Sequence, residues 1–129
     1  MSSGAPAASS RQGVPEARYR ALFEAIDEGF CIVEMLFDAA GKPLDYRFLE
    51  ANPALTRLTG LIDVEGRTMR ELAPAHEQYW FDIYGDVAST GEPIRFESRA
   101  RELDDRWFDV YAFRIDAPEE RHVAILFSD

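Results

Sequence analysis

Polar and apolar residues alternate most cleanly over residues 94–101. Ile94, Phe96, Ser98 and Ala100 fall on one side there, and Arg95, Glu97, Arg99 and Arg101 on the other. A period of two with one apolar side predicts a half-buried strand. Residues 30–37 are apolar on both sides, with only Glu34 interrupting, and predict a strand covered on both faces. Residues 45–51, 106–115 and 122–127 supply three more strands. The strand over 106–115 is again apolar on both faces, with Trp107, Tyr111 and Phe113 on one and Phe108, Val110 and Ala112 on the other. Turn-forming residues separate the strands at 38–43, at Asp104 and Asp105, and at 116–121.

Helical periodicity occupies the remaining segments. Pro15 and Glu16 open an amphipathic helix over 14–28 whose stripe is Tyr19, Leu22, Phe23 and Ile26, and Gly29 ends it. Asn52 caps a short helix opened by Pro53, and Gly60 closes it. Thr68 and Glu71 have the spacing of a capping box for a second short helix, which Pro74 stops. A longer helix over 76–90 buries Trp80, Ile83, Tyr84 and Val87 and ends at Gly91. Five antiparallel strands with short helices on one face make an α+β layer, and the opening helix is available for the other face.

Composition narrows the function. The chain has 129 residues, enough for one domain. Residues 1–13 are mostly Ala, Ser, Gly and Pro and read as a disordered arm, leaving 29–129 as the core. No apolar run reaches the roughly 20 residues of a membrane span. The formal net charge of −10 argues against a phosphate-backbone partner, so no nucleic acid is expected. A single cysteine, Cys31, forbids an internal disulfide and a cysteine-built metal cluster, and cytoplasmic residence is the simplest inference.

The wording of several segments resembles the PAS domain, the sensory module of bacterial sensor histidine kinases. The resemblance runs over residues 19–129. It is carried by Phe48-Leu49-Glu50-Ala51-Asn52-Pro53-Ala54, Leu58-Thr59-Gly60, Val64-Glu65-Gly66-Arg67-Thr68 and Glu71-Leu72-Ala73-Pro74. Thr90-Gly91-Glu92-Pro93, Arg106-Trp107-Phe108-Asp109-Val110 and the closing Val123-Ala124-Ile125-Leu126-Phe127-Ser128-Asp129 extend it. The resemblance implies a PAS fold. It also implies a C-terminal effector such as a kinase or cyclase, so the chain reads as an excised sensor module or a short protein. A GAF-type sensor is the nearest rival, but its helices come elsewhere in the order.

Candidate ligand contacts under the helices are Asn52, Met69, Leu72, Trp80, Ile83, Tyr84, Phe96 and Tyr111, which would line a mostly apolar pocket. Asn52 is read first as a helix cap and only second as a ligand contact. His76 is expected in an exposed or capping role at the mouth of the long helix rather than as the haem ligand that some PAS domains carry there. His122 is weaker still as a haem ligand. Cys31 is expected to be a core thiol. With no cysteine over 60–72, the flavin–cysteine chemistry of light-sensing relatives has no nucleophile. No catalytic residue or metal site is expected.

The expected function is a non-enzymatic sensor that binds a small molecule or a partner. The alternative is a ligand-free module that dimerises through Tyr19, Leu22, Phe23 and Ile26. A homodimer suits either, because an uncovered apolar stripe is a liability. A small enzyme ranks last, since no nucleophile–base or carboxylate pair stands out.

Overall fold

The computed structural model describes Arg18, Ala21, residues 26–103 and residues 105–128. The arm over 1–13 and the stripe positions Tyr19, Leu22 and Phe23 lie outside the described residues. Arg18 and Ala21 are helical and exposed, whereas Ile26, Asp27 and Glu28 are not helical. Ile26 is 38% exposed.

From there the order is β1 (Gly29–Phe37), β2 (Pro43–Ala51), α1 (Pro53–Thr59), α2 (Met69–Leu72), α3 (Gln78–Thr90), β3 (Ile94–Ala100), β4 (Arg106–Ile115) and β5 (His122–Ser128). The five strands form one antiparallel sheet in the order β2-β1-β5-β4-β3. The first and last strands therefore meet at its centre, and the helical segment connects its two edges. A 3-10 turn at Pro118–Glu120 shapes the last hairpin.

Alternation along the strands divides the sheet into two faces, and the helices cover one of them. Cys31, Val33 and Met35 of β1, Tyr46 and Phe48 of β2, Phe108, Val110 and Ala112 of β4, and Val123 and Ile125 of β5 are buried beneath the helices. On α3 the buried residues are Trp80, Phe81, Tyr84, Gly85, Val87 and Ala88. Phe81 replaces the expected Ile83 at the centre of the helix face. It packs beneath Tyr46 and carries the Arg70 guanidinium 4.0 Å over its ring. Ile83 is half-buried and packs at the core's margin.

The caps form as their sequences specify. The Asn52 side chain accepts from Leu55 N at 3.1 Å, and Gly60 closes α1 in the left-handed region. Thr68 and Glu71 make a reciprocal capping box around α2. α3 begins at Gln78, two residues later than its apolar periodicity suggests, which leaves His76 in the preceding turn.

Candidate functional site

Between the sheet and the helices lies a cavity of about 40 Å³. Its sheet side is made by Cys31, Phe48, Val110 and Ile125, and its helical side by Leu55, Met69, Trp80 and Tyr84. Tyr46, His76, Thr59, Leu61 and Leu103 also line it. No Asp, Glu, Lys or Arg lines it among the described residues. The cavity is an apolar space with a few polar atoms, the composition of a small-molecule site.

Three of the eight expected contacts, Met69, Trp80 and Tyr84, line this space. Phe96 stands behind them, with its ring 5.7 Å from Trp80 and 6.5 Å from Tyr84. Leu72 and Ile83 pack against the core without reaching the cavity. Tyr111 is misplaced by the sequence reading. It lies on the opposite face of β4, beside Phe113 and under the Arg95 guanidinium at 4.4 Å. Both faces of β4 carry aromatic residues, so alternation separates the faces without saying which points inward.

Asn52 is 2% exposed, and its side chain makes three hydrogen bonds. Its Oδ1 accepts from Phe30 N at 2.9 Å as well as from Leu55 N, and its Nδ2 donates to Glu28 O at 2.9 Å. It ties the start of β1 to the first turn of α1 and does not line the cavity.

The largest departure from expectation is His76. It is 3% exposed rather than open to solvent. Its ring stacks on Trp80, with centroids 5.4 Å apart at 15°, and meets Phe81 edge-on at 5.7 Å. Its Nδ1 has no hydrogen-bond partner. The closest acid, Glu77, stands 3.9 Å from Nδ1 and instead accepts from Trp80 Nε1 at 3.2 Å. Burial lowers the imidazole pKa to about 4, against a partly compensating pull from Glu77, so the ring is neutral near pH 7.

Arg70 makes this burial stable. It donates from Nη1 to His76 O at 3.2 Å, from Nε to Leu44 O at 3.0 Å and from Nη2 to Gln78 Oε1 at 2.7 Å. Helical periodicity cannot report on a side chain in a turn. Here backbone anchoring by Arg70 and stacking on Trp80 set its direction.

The other polar groups at the cavity are also held neutral. Desolvation raises the pKa values of the Tyr46 and Tyr84 phenols well above their ordinary value, and burial pushes the Cys31 thiol up. Cys31 is thus an inert core thiol. Outside the cavity, Asp116, Glu120 and His122 cluster at the last hairpin, where His122 Nδ1 lies 2.6 Å from Asp116 Oδ2.

A sheet of this order, with helices covering a small apolar cavity, is one α+β module. The profile described as "PAS domain" matches residues 17–93, and the chain belongs to that family. The PAS domain of an HTR-like protein from Haloarcula marismortui superposes with a TM-score of 0.62 at 19% identity, over 97% of this chain and 99% of that one. A domain of a sensory box sensor histidine kinase/response regulator from Geobacter sulfurreducens gives 0.54 at 24%, over 89% and 94%. The LOV protein of Rhodobacter sphaeroides gives 0.59 at 20%, over 88% of this chain and 65% of its own length. No curated protein matches the chain significantly. No helix among the described residues is long and apolar enough to cross a membrane.

Proposed function

We propose that this PAS domain is the input module of a bacterial signalling protein, most simply a sensor histidine kinase. A small molecule entering the cavity beneath α3 would shift how that helix packs on the sheet. The observation that carries this reading is the apolar cavity between the sheet and the helices, lined by Met69, Trp80 and Tyr84. The domain itself is non-catalytic, works in the cytoplasm and passes its signal to an effector beyond residue 129. Signalling requires different ligand affinity for two packings of the same core. Fusing the chain to a histidine kinase and measuring autophosphorylation tests this. Replacing Trp80 or Tyr84 with Ala should change output, and unchanged output from a folded variant would count against a pocket there.

Haem and flavin–cysteine chemistry are not part of this proposal. Pockets for drug-sized molecules run to roughly 300–1,000 Å³, far above the cavity's 40 Å³, and Cys31 is a desolvated thiol. Visible absorption by the purified protein would overturn this point.

A second reading is dimerisation on the outer sheet face. Phe30, Ile32, Tyr111, Phe113 and Leu126 are half-buried there, on the side away from the helices. A homodimer would cover them with the stripe of Tyr19, Leu22, Phe23 and Ile26. Sedimentation at several concentrations checks this: Leu22→Asp and Phe23→Asp should give monomers, and a wild-type monomer throughout would end the reading.

A further inference from the structure

We propose that Asp116, Glu120 and His122 form a binding site for a divalent transition-metal ion such as Zn²⁺, at the hairpin between β4 and β5. The site lies outside the cavity under the helices and does not depend on the sensory reading.

The hairpin brings the three donors together. β4 ends at Ile115 and β5 begins at His122, and these two residues are cross-strand partners. Asp116 follows the first, and Glu120 closes the 3-10 turn that leads into the second. Met35 N donates to Arg121 O at 2.9 Å, which fastens the loop to β1. One oxygen of Asp116, one of Glu120 and a ring nitrogen of His122 lie within 4.8 Å of one another. His122 Nδ1 stands 2.6 Å from Asp116 Oδ2 and 3.7 Å from Glu120 Oε1. Donors around a tetrahedral zinc are about 3.4 Å apart, so the ion enters once Asp116 draws back by under about 1 Å. The Asp116 side chain is half exposed and has room for that rotation.

The charge balance of the hairpin asks for a cation. An N–H at Nδ1 serves Asp116 at 2.6 Å but not Glu120 at 3.7 Å. Glu34 faces His122 across the β1–β5 pair, and Glu34, Glu119, Glu120 and His122 border one surface recess. Arg121 borders it too, but its guanidinium rests over the Phe37 ring, 4.6 Å from the centroid. Carboxylates gathered this closely repel unless a cation stands among them. A divalent ion serves all three donors at once, where a proton joins only two.

The donor set selects the ion. Magnesium and calcium take oxygen ligands, about six or more of them, whereas an imidazole nitrogen suits zinc and its transition-metal neighbours. Zinc accepts mixed nitrogen and oxygen donors in four-coordination. Three protein ligands leave a position to water, so binding is weaker than at four-ligand structural zinc sites.

The test titrates the full chain, stripped with EDTA, with Zn²⁺ and separately with Mg²⁺ by calorimetry, and follows the ¹⁵N resonances of the His122 ring. The proposal expects one Zn²⁺ per chain, a shift of the His122 Nδ1 resonance at that stoichiometry, and Mg²⁺ binding weaker by about a hundredfold or more. His122→Gln and Asp116→Asn should each weaken Zn²⁺ by about tenfold or more. Each should also abolish the rise in melting temperature that bound Zn²⁺ gives the wild type. No Zn²⁺ binding, a His122 ring that Zn²⁺ leaves unmoved, or unchanged affinity in His122→Gln would overturn the site. Equal binding of Mg²⁺ and Zn²⁺ would overturn the ion class, because the imidazole would then contribute nothing. The ring shift and the ion comparison are read on the wild-type chain, so the test stands even if a variant fails to fold.

Discussion

The imidazole of His76 lies nearly parallel to the indole of Trp80, 5.4 Å between centroids, and both residues line the cavity under the helices. The stack joins the turn before α3 to the first turn of that helix. Whatever changes the environment of one ring is therefore felt by the segment that covers the sheet.

This relationship predicts a pH dependence with a definite sign. His76 has a folded pKa of about 4, below its ordinary 6.5. Between these values the unfolded chain binds a proton that the folded chain refuses, so stability rises with pH across the window. It is lost as pH falls from about 6.5 toward 4, by on the order of 3 kcal/mol at most. Urea unfolding of wild type and His76→Phe at several pH values isolates this contribution from that of the acids. The difference between the two should narrow or reverse as pH falls. Parallel pH profiles would mean that the ring is solvated.

Asn52 gives a prediction that needs no ligand. Asn52→Ala leaves the Phe30 and Leu55 N–H groups without their side-chain acceptor and removes the bond to Glu28 O. The expected loss is about 2–4 kcal/mol, combining a helix cap with two further side-chain hydrogen bonds. Denaturation midpoints measure it. A loss under about 0.5 kcal/mol would show that β1 and α1 are not joined through this side chain.

Gly85 marks where α3 presses closest on β2. A Cβ there would stand 2.3 Å from Pro43 Cγ. Gly85→Ala should therefore destabilise by about 1–3 kcal/mol, although alanine is the better helix former by about 1 kcal/mol. A raised melting temperature would mean that the helix sits farther from the sheet.

Tyr111 serves as the counterexample. Its ring is on the outer face with Arg95 and Phe113. Tyr111→Ala should leave ligand titrations at the cavity within about twofold of wild type while altering self-association, if the outer face is the dimer contact. A tenfold loss of ligand binding would put Tyr111 back under the lid.

The strands and the caps were legible because each depends on local chemistry. Alternation over residues 94–101, Asn52 before Pro53, and the Thr68–Glu71 spacing act within a few residues of themselves. The site was legible only in part. Met69, Trp80 and Tyr84 sit on periodic elements and reach the cavity. Tyr111 belongs to a strand apolar on both faces, where alternation cannot choose the inner side. Phe81 is drawn inward by Tyr46 and Arg70, partners distant in sequence. His76 escapes periodicity altogether, since its burial depends on Arg70 holding its carbonyl.

Filling the cavity from the protein side tests most directly whether its occupancy is read out as signal. Cys31→Met extends a lining side chain into the space without adding charge. In a kinase fusion whose sensor keeps its wild-type melting temperature, basal autophosphorylation should shift several-fold, in the direction a ligand would drive it. Unchanged basal output from that folded variant would contradict the account.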